Sequence, residues 1–188
     1  MALLILLPAL AMIALLILIF LGSPVFFRQK RIGLHEKPFT IIKFRTMLNL
    51  YDAQGQLLPD MQRLTRFGNF LRSSSLDELP EFWNVLMGDM SVVGPRPLPP
   101  EYLPYYTPQE AMRHQIKPGI TGWAQIHGRN SLTWEAKFAY DLWYLQNQNL
   151  WLDIKIVWMT FFKVIQREGI QASKQDTMPR LDMIRLAK

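Results

Sequence analysis

Every residue from Met1 to Leu21 is apolar, and the first charged side chain of the chain is Arg28. No other feature restricts the fold as much. As one straight helix this segment would run roughly 31 Å, close to the thickness of a bilayer core. It lacks the basic start and the small-residue cleavage site of a secretory signal. A helix buried in a protein core is the alternative, but it seldom needs so long an unbroken apolar run. Pro8 adds a constraint. Proline removes a backbone donor and crowds the preceding turn, which predicts a kink there. In lipid the carbonyl left over needs another partner. A helix bent at Pro8 can enter and leave by one membrane face; a straight one would cross. In both cases Arg28, Lys30 and Arg31 fall where cytoplasmic flanks fall.

The segment raises the apolar content of the 188-residue chain to 49%. The remainder, residues 22–188, is long enough for one domain with its own core. Formal net charge is +6, with every charge after the apolar segment. Beside a membrane helix, such a balance favours anionic headgroups and phosphorylated small molecules over nucleic acid. There is no cysteine, so disulfides, thiol catalysis and cysteine metal sites are excluded.

Gly22-Ser23-Pro24 closes the apolar run. Val25 to Gln29 and Phe39 to Met47 read as two short strands around a Gly33-to-Pro38 turn. Alternation in the second would put Lys43 and Arg45 on one face, with Ile42 and Phe44 on the other. Tyr51 to Gln62 reads as a loop and Leu64 to Leu71 as a short helix. Ser75-Leu76-Asp77-Glu78 has the pattern of a capping box, with Leu79, Phe82, Trp83 and Leu86 at helical spacing and Gly88 as a stop. Pro95, Pro97, Pro99, Pro100, Pro104 and Pro108 predict a stiff extended stretch. Leu132 to Leu145 and Leu150 to Gln166 read as helices rich in Trp and Tyr, and the tail from Glu168 as polar and poorly packed. The fold class expected is α+β, mainly helical: an N-terminal hydrophobic helix (1–21), kinked near Pro8 and either re-entrant or spanning, then a cytoplasm-facing domain (22–188) with a short β-hairpin and interfacial amphipathic helices.

Asp77-Glu78 is the strongest chemical candidate. Acidic residues in a first helical turn commonly serve only amides and dipole. Here, however, Lys43, Arg45, Arg72 and Arg96 supply separated cations from other segments. Cations plus two carboxylates can hold a pyrophosphate and a divalent metal, and a carboxylate can attack phosphorus to form an acyl phosphate. Patterns for a P-loop, a dinucleotide fingerprint, a zinc protease or a nucleophile elbow are absent. His35, His114 and His127 show no metal-ligand spacing, and His127 reads as a structural loop histidine. Trp143, Trp151 and Trp158, with Tyr144 and Lys155, suit either a core or a headgroup-level surface.

Several long motifs then carry a resemblance. Phe70 to Glu81 (FLRSSSLDELPE), Asn84-Val85-Leu86, Gly88-Asp89-Met90-Ser91 and Val93-Gly94-Pro95-Arg96-Pro97 occur in the order found in bacterial sugar transferases. Lys43 to Met47, Lys117 to Trp123 and Tyr140 to Tyr144 are similar to the same family, the monotopic phosphoglycosyl transferases. The likeness runs from about Pro8 to Arg167. It implies transfer of a sugar-1-phosphate from a UDP-sugar to undecaprenyl (polyprenyl) phosphate with release of UMP, at the start of glycan assembly. It implies Asp77 as nucleophile, Glu78 as ligand of Mg2+, Lys43, Arg72 and Arg96 around phosphates and nucleotide, a catalytic role for the domain 22–188, and Asp141 in the site region; Arg45 joins the substrate-binding set through its expected place beside Lys43. It further implies the cytoplasmic face of the bacterial inner membrane, with membrane lipids as partners, and leaves a homodimer open. The family's re-entrant helix has a longer, basic arm before its proline than the seven residues here. Without the extra membrane helices of large relatives, the chain resembles the minimal catalytic form. A non-catalytic, membrane-anchored basic module that binds lipid or serves as a scaffold is the competing reading, and the Asp77-Glu78 pair is what it leaves unexplained.

Overall fold

The computed structural model describes residues 2–128, 132–166 and 179–186. Helix α1 runs from Ala2 to Phe20, unbroken through Pro8. Among the described residues, no helix is long and apolar enough to cross a membrane. One stripe of α1, Ile13, Ile17 and Leu21 at i, i+4, i+8, packs on Phe44 and Leu71, with Leu76 and Leu79 alongside. The helix therefore shares a core with the segment that carries Asp77 and Glu78. Its other faces, including Met12, Leu15, Ile19 and Phe20, are exposed.

Gly22 ends α1 in the left-handed region, at φ 78°, and its amide closes back on the Ile17 and Leu18 carbonyls. Arg45 finishes the end. Its guanidinium donates to the carbonyls of Leu21, Gly22 and Ser23, a cation on the negative pole of the helix. Strands β1 (Phe26–Ile32) and β2 (Pro38–Phe44) form an antiparallel hairpin with Phe26 opposite Phe44 and Ile32 opposite Pro38. The hairpin is the expected one, but β2 stops at Phe44. The Arg45 amide still donates to the Val25 carbonyl at 2.9 Å, but its side chain goes to the end of α1 and not to the partners of Lys43.

Helix α2 (Asp60–Arg63) is a single turn that begins near the end of the expected loop and runs one residue past it. Helix α3 (Arg66–Ser73) starts at Thr65, whose hydroxyl accepts from the Gly68 amide. Gly68 lies against the Thr46 backbone: a Cβ built there would stand 1.8 Å from the Thr46 carbonyl oxygen.

The next turn departs from expectation. Ser75 makes no cap. It sits at φ 55°, linking α3 to a three-residue 3₁₀ turn, Leu76–Glu78, and helix α4 follows only at Glu81–Met87. Pro80 is the reason. It has no amide to close an i→i−4 bond onto Leu76, so Glu78 and Leu79 bond instead to Ser75 and Leu76, three residues back. Gly88, at φ 84°, stops α4 as expected.

Two three-residue strands that the sequence did not suggest, β3 (Ser91–Val93) and β4 (Gly119–Thr121), pair in parallel. Their backbones nearly touch: a Cβ on Gly119 would lie 2.1 Å from the Gly94 nitrogen. The proline-rich stretch is not wholly extended. Pro100–Tyr105 is 3₁₀, and helix α5 (Pro108–Ala111) opens with a capping box of Thr107 and Glu110. Proline suits these first-turn positions because no intrahelical donor is lost there.

Helix α6 (Trp123–Ile126) precedes α7 (Trp134–Asn147) and α8 (Leu150–Gln166), close to the two helices expected. The Tyr144 hydroxyl donates to Asp153 at 2.6 Å and clasps α7 to α8. Part of the tail packs: in α9 (Leu181–Leu186), Leu181 is fully buried with Tyr102, Trp134 and Phe138. Residues 168–178 of that tail, expected to pack poorly, lie outside the described residues.

Candidate active site

The site begins with how α4 is fixed to the hairpin. Asn84 behaves as a short piece of strand. Its amide nitrogen donates to the Thr40 carbonyl at 2.8 Å, and its amide oxygen accepts from the Ile42 amide at 3.1 Å. Such a two-way contact with a strand edge sets both height and rotation of the helix. Glu81 lies three residues earlier, on the same helical face, and so comes beside Lys43, the residue after Ile42.

Lys43 Nζ meets Glu78 Oε1 at 2.7 Å and Glu81 Oε1 at 2.9 Å. Arg96, from the segment after β3, reaches the same Glu78 oxygen at 2.9 Å. Glu81 and the Glu78–Lys43 pair are largely withdrawn from water, whereas Arg96 is half exposed. Burial works against ionisation of Glu78, but Arg96 and Lys43 outweigh it and hold its carboxyl well below the ordinary range. Burial pushes Glu81 the other way, upward, against the pull of Lys43.

Asp77 is the member of the cluster left open. Among the described residues it has no ion-pair or hydrogen-bond partner, and its side chain is partly exposed. Burial, and then the negative charge of Glu78, raise its carboxyl to about 6, while Lys43, Arg96 and Arg72 pull it back. Arg72 is anchored by its Nε on the Thr46 hydroxyl at 2.9 Å and is otherwise exposed.

Five of the residues singled out from sequence are thus united: Asp77, Glu78, Lys43, Arg72 and Arg96. Two are not. Arg45 is spent on the end of α1. Asp141, expected in the site region, is buried and bound to Arg113: its Oδ2 accepts from Nη2 at 2.7 Å and from Nε at 3.0 Å. His127 lies in the turn after α6, with Nδ1 2.8 Å from the Trp123 carbonyl and its ring stacked on Tyr140. Sequence reasoning missed Glu81, although it stands one helical turn after Glu78 within the longest motif. It also missed Arg113, for which the sequence holds no signal; it is one basic residue among 21.

The donor set bears on a metal. Among the described residues, no group of three or more His, Asp or Glu side chains could cage an ion. Mg2+ does not need one. It commonly takes one or two carboxylates and draws its other oxygens from phosphate and water. Glu78 has its second carboxylate oxygen to give, and Asp77 lies next to it, so the residues fit an ion shared with a phosphorylated ligand.

Carboxylates beside clustered cations, on a domain packed against an apolar helix, suit the class of site that handles phosphorylated ligands. The sequence comparisons agree with that class. A family model described as bacterial sugar transferase matches residues 1–167, and the chain belongs to that family. It is 56% identical over 160 residues to the uncharacterised sugar transferase EpsL of Bacillus subtilis, covering 85% of this chain and 79% of that one. It is 43% identical over 166 residues to the UDP-glucose:undecaprenyl-phosphate glucose-1-phosphate transferase of Escherichia coli, covering 83% of this chain and 36% of that enzyme. To the undecaprenyl-phosphate galactose phosphotransferase of Salmonella typhimurium it is 37% identical over 165 residues, 79% of this chain and 35% of that one. The chain therefore spans only about a third of the length of these two named enzymes.

Proposed function

We propose that the chain transfers a sugar-1-phosphate from a UDP-sugar to undecaprenyl phosphate, releasing UMP, by way of a covalent intermediate on Asp77. The observation that carries this reading is the division of labour among adjacent carboxylates. Glu78 is locked between Lys43 and Arg96, whereas Asp77 is unpaired and partly exposed beside the same cations. One is suited to hold position and charge, the other to react.

In the first half-reaction an Asp77 carboxylate oxygen bonds to the β-phosphorus. The bond from that phosphorus to the bridging oxygen breaks, and UMP leaves with the oxygen and its electron pair. In the second, a phosphate oxygen of the lipid attacks the same phosphorus. The acyl-phosphate bond breaks, and Asp77 returns as a carboxylate. Lys43, Arg72 and Arg96 offset the charge that repels a carboxylate from a pyrophosphate. Mg2+, when held by Glu78 with Asp77 beside it, supplies further neutralisation of phosphate oxygens. Two substrates using one site in turn give ping-pong kinetics.

The names of the Escherichia coli and Salmonella relatives support the substrate class. The apolar faces of α1 and α8 support a site at the cytoplasmic face of the membrane, with residues 1–21 as membrane element and 22–188 as catalytic domain. With α1 re-entrant, Met1 and Arg28 share one side, and cysteines placed at both should be labelled from that side alone.

The deciding experiment is intact-protein mass spectrometry after mixing the chain with a panel of UDP-sugars, UDP-glucose and UDP-galactose first, without lipid. The expected result is UMP release together with added phosphosugar mass, both abolished by excess EDTA. Release of UMP only after undecaprenyl phosphate is added would favour direct transfer over an Asp77 intermediate. Unchanged activity in EDTA would remove the metal.

A further inference from the structure

The segment Pro95-Arg96-Pro97 has an unusual anchoring problem. Two of its three residues lack an amide hydrogen, so the backbone can be tied down almost only through its carbonyls. Each carbonyl is taken. That of Pro95 accepts from the Gly119 amide at 3.0 Å. That of Pro97 accepts from Arg31 Nη1 at 3.2 Å. The central one, on Arg96 itself, accepts from Arg113 Nη2 at 2.8 Å.

Arg113 is held in turn. Asp141 of α7 binds its Nε and Nη2 on one oxygen. Tyr106 offers its hydroxyl at 3.5 Å, and the guanidinium lies 5.6 Å from the centre of the Phe138 ring. Arg113 and Asp141 are both almost wholly buried. A planar fork fixed on several sides can place one remaining N–H at a set position, which a flexible ammonium cannot.

We infer that Arg113 and Asp141 are positioning residues for Arg96: the buried pair fixes the Arg96 backbone and so holds its guanidinium on Glu78. Asp141 then acts at a distance, through Arg113 and the loop, without touching substrate. This rests on the transferase reading for its catalytic consequence, though not for its geometry. The prolines on either side of Arg96 stiffen the link, so a shift of its carbonyl reaches the side chain rather than being absorbed by the loop.

A double-mutant cycle in the full chain, in membrane vesicles, tests it. Asp141→Asn keeps shape but removes the charge that fixes Arg113. It should lower kcat/KM for the UDP-sugar turned over by about tenfold or more. In an Arg96→Ala background the same change should cost less than about twofold, because its route to the site is gone. Arg113→Lys is the second variant: it keeps a cation for Asp141 but cannot span to the Arg96 carbonyl, and it should couple to Arg96 in the same way. A readout independent of turnover is modification of Arg96 by phenylglyoxal, followed by peptide mass. Loosening the half-exposed pair with Glu78 should speed it by about threefold in either variant. Equal losses with and without Arg96, or an unchanged modification rate, would overturn the inference and leave the buried pair a purely structural one. A wild-type chain that turns over no UDP-sugar would overturn the transferase reading, and the modification rate would still decide the positioning.

Discussion

Asp77 and Glu78 are chain neighbours with opposite electrostatics, and their variants should differ accordingly. Asp77→Asn removes the nucleophile while keeping the shape, so turnover should fall by at least about 10³-fold and no phosphosugar adduct should form. The folded chain holds the Asp77 proton up to about pH 6, above the ordinary carboxyl value of 3.8. This group therefore favours the fold most at low pH, and that contribution is lost as pH rises from the ordinary value through about 6. At pH 7 the asparagine variant should melt no lower than wild type by circular dichroism. The same proton must leave before attack, so kcat/KM should drop on the acid side with a midpoint near 6. Glu78→Gln acts in reverse. It leaves Lys43 and Arg96 without the carboxylate they share, and should cost about 1–3 kcal/mol in denaturant unfolding as well as activity. A Glu78 variant as stable as wild type would mean that the three-way ion pair contributes little.

At the scale of elements, close backbone contacts hold the site. Helix α3 can approach the Thr46 backbone only because residue 68 has no side chain. Gly68→Ala should lower stability by about 2–3 kcal/mol, since the obstacle is a carbonyl and not the end of a flexible side chain. Ser75→Gly should do the opposite. At φ 55° a residue with a Cβ carries a strain of roughly 1 kcal/mol, which glycine relieves in part against its greater freedom when unfolded. Paired unfolding curves for the two variants check the account of this turn. Were Ser75 a true helix cap, glycine there would weaken the fold.

Across the whole molecule, apolar side chains face outward on two distant stretches of sequence. Leu15, Ile19 and Phe20 do so on α1, and Trp151, Trp158 and Phe161 on α8. Trp151 and Trp158 remain 80% and 63% exposed, so replacing both with serine should leave the fold intact. If this face meets lipid, the double variant should partition into anionic vesicles about tenfold more weakly in a flotation assay. Unchanged partition would assign attachment to α1 alone.

Much of this protein was legible without coordinates, because much of it is local. An apolar helix, a hairpin around Gly33 to Pro38, the stop at Gly88 and the two aromatic helices follow from periodicity and turn chemistry within a few residues. The Asp77-Glu78 pair and three of its cations were legible too, through motifs fixed in order along the chain. Local signals failed where two of them competed: the Ser75 box was overridden by Pro80, five residues on, which withholds a backbone donor. They failed again where a side chain's partner lies far away in sequence. Arg45 faces carbonyls of residues 21–23, Lys43 joins Glu81 because Asn84 docks on β2, and Arg113 reaches Asp141 and the Arg96 carbonyl. Charge and periodicity say that an arginine is available. Which anion or carbonyl it meets is decided by the packing of elements, a property of the folded chain as a whole.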